Sequence, residues 1–380
     1  MQLKTQVLFG VMVALLTSML DARLQASEEK DDTVHFPLMV GFKGTTPQDP
    51  EVIALTESLK QGHISGVILF AYNIVNPDQV CTLTRHFLKA SGDLPCLVAL
   101  DQEGGKVQRL RKMDGYDDFH DVPSAEEIGA LYRQDGAGAV RKIYDAAAAQ
   151  VRDAGFNYVF GPVVDLLDPI STIIAKYQRA YSADPLEVAA CGKIFVEAHR
   201  AQGIATSPKH FPGHGKAYGD THEGFVDVSK SYVESERLPF EKMIQDKDAD
   251  SLMMAHIFNK EWDEMWPVSA SPYVIQQMIR TDMAYDGVLI NDDLCMGAIV
   301  DHWSLPDMST QMVRAGIDLL LCSYNKAAAQ GTKGLSQTDY SPGALQATLK
   351  ERLGESLYEE KCRVASLRVT RLRQSLFNAW

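Results

Sequence analysis

Gly287-Val288-Leu289-Ile290-Asn291-Asp292-Asp293 carries the pattern on which the reading of the whole chain turns: a short apolar run, without polar alternation, that stops abruptly in two carboxylates. A strand that is apolar on both faces suits a parallel sheet covered on both sides. Seven further runs have this character: Phe36–Phe42, Gly66–Phe70, Cys96–Leu100, Tyr158–Val164, Ala205–Lys209, Ser251–Ala255 and Leu319–Cys322. Between them lie longer stretches with a 3.6-residue apolar period, which predict helices over Ala137–Ala154, Pro185–Gln202, Tyr232–Asp246 and Ser271–Met283. Strand then helix, repeated eight times, predicts an α/β fold, a closed (β/α)8 TIM-like barrel spanning 33–330. The Leu345–Leu376 region, within 331–380, reads as C-terminal closing helices packed on the outside of the barrel. No Gly, Pro or Ser-rich linker separates a second domain.

The composition agrees with one globular unit. Of 380 residues 46% are hydrophobic and 23% charged, which excludes disordered, collagen-like and coiled-coil chains. A net charge of −13 argues against a grip on phosphate backbones, so no nucleic-acid partner is expected. Residues 1–26 have the anatomy of a signal peptide: Lys4, an uncharged run from Val7 to Leu20, and the small residue Ala26 before a cut. That run falls short of the roughly 20 residues of a bilayer span. The expectation is an exported protein, periplasmic or secreted, with no stable membrane span in the mature chain. The six cysteines show no CxxC, no zinc spacing and no tight pairing pattern, and Cys96 and Cys322 read as small core residues rather than bridge partners.

A barrel collects its chemistry where the strands end. Strand three ends in Asp101, strand four in Asp165, strand five in Lys209 and His210, strand six in His256, and strand seven in Asp292 and Asp293. The loop after strand five runs Lys209-His210-Phe211-Pro212-Gly213-His214-Gly215 and on to Asp220-Thr221-His222. Two His four apart suggest a metal site only on a helix, which Pro212 and Gly213 forbid, so neither metal nor cofactor is expected. If the loop is extended, Asp220 and His222 point the same way and the carboxylate orients the ring; by spacing alone, a solvated loop with an incidental His is the favoured reading. Of the pair Asp292 and Asp293, one can serve as a nucleophile and the other as its hydrogen-bonding support, with Mg²⁺ binding as the competing use. Asp101 can accept from sugar hydroxyls, Gly104 and Gly105 let the backbone approach a ligand, and Arg109 is a long donor on the same loop.

These blocks together resemble a known family. KHFPGHG at 209–215 with DTH at 220–222, DQEGGKVQRL at 101–110, GVILF at 66–70, FGPVVDL at 160–166 and NDDLCM at 291–296 are similar, in this order, to family 3 glycoside hydrolases of the single-domain β-N-acetylhexosaminidase type. The resemblance implies a retaining exo-β-N-acetylglucosaminidase acting on cell-wall (peptidoglycan) or chitin-like fragments, with a small oligosaccharide or muropeptide as substrate and a monomeric state. It implies Asp292 as nucleophile and His222, assisted by Asp220, as acid/base in place of the usual carboxylic acid. Asp101, Arg109, Lys209 and His210 would hold the terminal sugar, with Arg179 as a further candidate. The chain departs from the pattern at Thr221, where the family has Ser, and at Asn291, where it has Ser or Thr. It departs most over Lys176–Tyr181, where a Gly-Asn-Arg-like segment is usual. Two alternatives stand beside this reading: a family 3 phosphorylase using phosphate as acceptor, and a catalytically inactive glycan-binding barrel.

Overall fold

A computed structural model describes residues 34–113, 116–324 and 341–377. The expected signal peptide over 1–26, and 331–340 at the start of the C-terminal segment, lie outside the described residues. From His35 onward the chain is one compact unit. Eight strands line up with the eight apolar runs: β1 (Leu38–Gly41), β2 (Gly66–Ile68), β3 (Leu97–Leu100), β4 (Tyr158–Val159), β5 (Ala205–Thr206), β6 (Ser251–Met254), β7 (Val288–Asn291) and β8 (Leu320–Cys322). Six of them form a continuous parallel sheet in the order β8-β1-β2-β3-β4-β5, and β6 pairs with β7. Parallel bridges Phe211–Met254 and Ile290–Leu319 join these parts, so the sheet closes into the expected barrel.

β4 and β5 are shorter than their apolar runs because each meets a proline. Pro162 and Pro208 have no N–H to give to a ladder. Pairing resumes beyond them at a single bridge, Val163–Lys209. Several helices begin where a polar cap precedes proline: Asn76 accepts from the Gln79 N–H ahead of Pro77, and Asp184 from the Leu186 N–H ahead of Pro185. Proline at the first helical position forfeits an N–H that would have no partner anyway. The stretch predicted as Ser271–Met283 is helical over Tyr273–Asp282, but wound wide, with i→i+5 bonds.

The barrel interior is a layered apolar core. Met39, Ile68, Leu97, Ala99, Tyr158, Ala205, Met253, Val288, Ile290, Leu319 and Leu321 pack together, while alternate residues such as Val40, Val98, Leu289 and Leu320 face the helices. The C-terminal helix Glu355–Phe377 sends Val369, Leu372 and Leu376 into that same interior cluster. Its Arg373 donates to the carbonyls of Leu94 and Pro95 at the entry to β3, and Arg368 pairs with Asp318 just before β8. These contacts fall at the strand starts, so the helix closes the end of the barrel opposite the strand-end loops. Truncating Leu372 to Ala is expected to cost about 2–4 kcal/mol, read as a lower urea midpoint.

Candidate active site

Strand periodicity alone aims three reactive side chains at the barrel mouth. Leu97 and Ala99 face inward, so Asp101 follows on the same face; Val288 and Ile290 set up Asp292; Ala205 sets up Lys209 two steps on. All three line one pocket of about 410 Å³, together with Phe70, Tyr72, Glu103, Arg109, Arg179, His210, His222, Asp293, Met296 and Ser323. Of the eight residues that the family resemblance gives a catalytic or sugar-binding role, seven share one cavity; the eighth, Asp220, stands behind His222.

The pocket wall is a continuous chain of ion pairs. Lys209, 3% exposed, sets its Nζ 2.8 Å from Asp101 Oδ1 and 2.7 Å from Glu103 Oε1. Asp101 Oδ2 accepts from Arg109 at 2.9 Å, and Glu103 takes a two-pronged grip from Arg179 at 2.8 Å on each oxygen. Burial works against each of these charges, yet the opposing charges hold Asp101 and Glu103 below the usual carboxylate range and Lys209 above its ordinary value. Arg179 also lies 3.4 Å from His210 Nε2. The Nδ1 of that ring faces Asp165 at 2.7 Å, while the other Asp165 oxygen accepts the backbone N–H groups of His210 and His214. Asp165 thereby pins the turn that follows β5. Replacing Lys209 with Met should cost about 3 kcal/mol in chemical denaturation, because two buried carboxylates lose their shared cation.

The adjacent carboxylates of the β7 loop are driven apart. Asp292 is half-buried, and its desolvation favours the neutral form, but His210, His256, His222 and Lys209 around it hold its pKa below the ordinary carboxylate range. Asp293 is also half-buried, and there desolvation prevails, with Asp292 adding to it, so its carboxyl titrates higher despite accepting from Cys295 N, Ser323 N and the Ser323 hydroxyl. One carboxylate stays charged in the pocket while its neighbour anchors the loop. His256 supports the same loop: its Nδ1 meets the Ser269 hydroxyl at 2.7 Å and its Nε2 the Asp293 carbonyl oxygen at 3.2 Å.

Asp220 and His222 meet, though by a different geometry from the extended loop expected. The chain turns here: Glu223 N and Gly224 N donate to the Asp220 carbonyl, and Asp220 Oδ1 accepts from the His222 N–H at 2.8 Å. The turn brings His222 Nδ1 to 2.8 Å from that oxygen, leaving Nε2 as the other ring nitrogen. Burial favours the neutral ring, but the bond to Asp220 and the charges of Asp292 and Asp220 prevail and raise its pKa above the ordinary 6.5. The ring is still 51% exposed at the pocket rim, as a group that exchanges protons with a ligand or water must be.

Several supporting residues carry no local signal in the sequence. Glu103 stood in a quoted block without a role, since its partners Lys209 and Arg179 are distant in the chain. Tyr72 lies in the turn after β2, and nothing in the local pattern marks it. Among the described residues no three His, Cys, Asp or Glu side chains form a metal-ligand cluster.

Comparison with known proteins places this geometry. The family model described as the glycosyl hydrolase family 3 N-terminal domain matches residues 45–347. The chain belongs to glycoside hydrolase family 3. Curated relatives include a beta-hexosaminidase of Xylella fastidiosa, 33% identical over 84% of this chain and 99% of its own length, and one of Hydrogenovibrio crunogenus, 31% identical over 81% and 84%. A solved family 3 beta-N-acetylglucosaminidase from Paenibacillus superposes with a TM-score of 0.77 at 27% identity, covering 90% of this chain and 62% of that longer one. Beta-N-acetylhexosaminidase from Beutenbergia cavernae, at 24% identity and a TM-score of 0.72, shares the fold over 89% of this chain and 96% of its own.

Beneath the 213–216 turn lies a further acid, Glu236, fully buried, with Oε2 accepting from Gly215 N at 3.1 Å and Oε1 unpartnered among the described residues. Burial, and then the charge of Asp165, push its carboxyl up to about 8. The folded chain therefore keeps a proton that an unfolded glutamate releases near 4.5, and stability falls as pH rises through the window between those values. Glu236→Gln removes this dependence: its melting temperature should exceed that of the parent more at pH 8 than at pH 5, checked by scanning calorimetry.

Proposed function

We propose that this family 3 enzyme is a retaining exo-β-N-acetylglucosaminidase, releasing terminal N-acetyl-β-D-glucosamine from peptidoglycan-derived or chitin-like fragments. The observation that carries the reading is the pairing, at one pocket, of a charged carboxylate, Asp292, with an exposed imidazole, His222, held by its own carboxylate, Asp220. The names of the relatives support the substrate class. A pocket of about 410 Å³, closed below by packed side chains, suits a small terminal unit.

The chemistry follows from the two groups. Asp292 attacks the anomeric carbon while His222 Nε2 gives its proton to the departing oxygen, leaving a glycosyl ester on Asp292. Water then attacks the same carbon, its proton passes to the now neutral His222, and Asp292 leaves as the carboxylate. Asp220 keeps the Nδ1 proton in place and stabilises the charged ring. Asp101, Lys209, Arg109 and Arg179 present donors and acceptors to the sugar hydroxyls, with His210 beside them. A histidine acid adds no second anion next to the positive charge that develops at the sugar. Export follows from the leader read in the sequence, and mature-chain sequencing from the native host tests it.

Turnover of the 4-nitrophenyl N-acetyl-β-D-glucosaminide should exceed that of the corresponding β-glucoside, and Asp292→Ala should lower it by roughly 10³-fold or more. Free sugar should remain the product when phosphate is added; accumulation of the sugar 1-phosphate would make the enzyme a phosphorylase. Binding of chitobiose without any cleavage would make it a glycan-binding barrel.

The pH dependence has a definite sign. The first step needs His222 protonated and Asp292 ionised, so the rate falls as pH rises through the His222 value, above 6.5, and again as pH drops below 3.8. Asp220→Asn removes an anion that raises the ring, and should move the alkaline limb to lower pH while cutting kcat about 10²-fold or more. A pH–rate profile with an unmoved alkaline limb would sink the role given to Asp220.

A further inference from the structure

Cys295 and Cys322 lie 27 residues apart in sequence, yet their sulfurs sit 3.6 Å from each other. Both side chains are buried, on the side of β8 that faces away from the barrel interior. The backbone holds them in register from three directions. Leu294 N donates to the Leu321 carbonyl at 3.1 Å, and the Asn291 side chain bridges Leu321 through both its amide groups. Asp293 Oδ1 accepts from Cys295 N and from Ser323 N, tying the two cysteine-bearing loops to one carboxylate. The sulfurs need to close by only about 1.5 Å to reach the bond length of a disulfide, a shift within the reach of side-chain rotation.

We infer that Cys295 and Cys322 are a disulfide site, a covalent staple between the loop that carries Asp292 and Asp293 and the end of β8. The oxidant is an oxidised thiol–disulfide carrier, a small-molecule or protein disulfide. A thiolate of the pair attacks one carrier sulfur to form a mixed disulfide and expels the other carrier sulfur as thiolate. The second cysteine thiolate then attacks the protein sulfur of that mixed disulfide, closing the Cys295–Cys322 bond and releasing the second carrier thiolate. Two protein thiols lose two electrons and two protons, and the carrier gains both. The contact with the Cys322 sulfur, and then burial, hold the Cys295 thiol well above its usual range, so the thiolate is scarce once the chain has folded and the exchange is slow in either direction. The staple therefore forms readily only while the loops are still opening. It would lie outside the catalytic groups and act on them through Asp293, whose two amide donors sit on the two stapled loops.

The remaining four thiols stay apart. Cys96 faces the Phe87 carbonyl and Cys362 belongs to the C-terminal helix, where it neighbours Tyr358. The test is thiol counting on the whole chain after refolding in a buffer of reduced and oxidised glutathione. Denatured without reductant, four of the six cysteines should react with N-ethylmaleimide, and all six after reduction. A tryptic peptide pair joined through 295 and 322 should appear only before reduction. The oxidised form should melt roughly 3–6 °C above the reduced one, a difference that Cys322→Ser abolishes. Six reactive thiols before reduction, or a cross-link through any other pair, overturns the proposal. Because the counting uses the unaltered chain, a failure of the variant to fold does not blunt it.

Discussion

A single buried ammonium organises the mouth of this barrel. Lys209 leaves the end of β5 and bridges Asp101, just beyond β3, to Glu103 in the hairpin that follows, Gln102–Gly104 paired with Val107–Gln108. Each anion needs a second cation, and Arg109 and Arg179 supply them from two different loops. A charge taken out of water is tolerated only with partners at hydrogen-bonding distance. The ion pairs therefore fix the relative positions of β3, β5, the hairpin and the 165–181 loop more tightly than apolar packing would. The donors that face the pocket are held before any ligand arrives, and binding need not order them.

The same physics separates groups of identical chemistry. Asp292 and Asp293 are neighbours, both half-buried, and differ in what surrounds them: cationic and histidine side chains for the first, a ring of neutral donors and an adjacent anion for the second. His222 and His214 differ likewise. The exposed ring has a carboxylate on Nδ1 and gains a proton more easily, while the enclosed one, its Nδ1 unpartnered among the described residues, is pushed down to about 4 by burial and by its neighbour His210. Environment assigns the roles, one carboxylate to charge and one to support, one imidazole to proton exchange and one to the scaffold.

The barrel was legible because strands buried on both faces leave continuous apolar runs, and five of the eight runs stopped at a carboxylate, lysine or histidine. The prolines at 162 and 208 shortened β4 and β5 without hiding them. The candidate pocket was legible in its residue types and order, helped by the resemblance of KHFPGHG and NDDLCM to known blocks. What stayed hidden was long-range pairing. Nothing near Glu103 says that Arg179 will clasp it, nothing near Glu236 says that it will lie beneath Gly215, and the spacing of Cys295 and Cys322 matches no motif. The Asp220–His222 contact was anticipated through an extended loop and is made by a turn, because the carboxylate binds the backbone N–H two residues on as well as the ring. Arg179, inside the segment that departs most from the family pattern, still reaches the pocket, so the altered residues around it leave that cation in place.

The covalent glycosyl-enzyme on Asp292 is the centre of this account. Its most direct test uses His222→Ala with an aryl N-acetyl-β-D-glucosaminide whose leaving group needs no proton, so that the ester forms and then hydrolyses slowly. Acid quenching followed by peptide mass spectrometry should find one N-acetylglucosaminyl residue on the peptide that contains Asp292, with fragmentation placing it on that side chain. A sugar attached to Asp293 instead, or the absence of any adduct together with an α-configured first product, would contradict it.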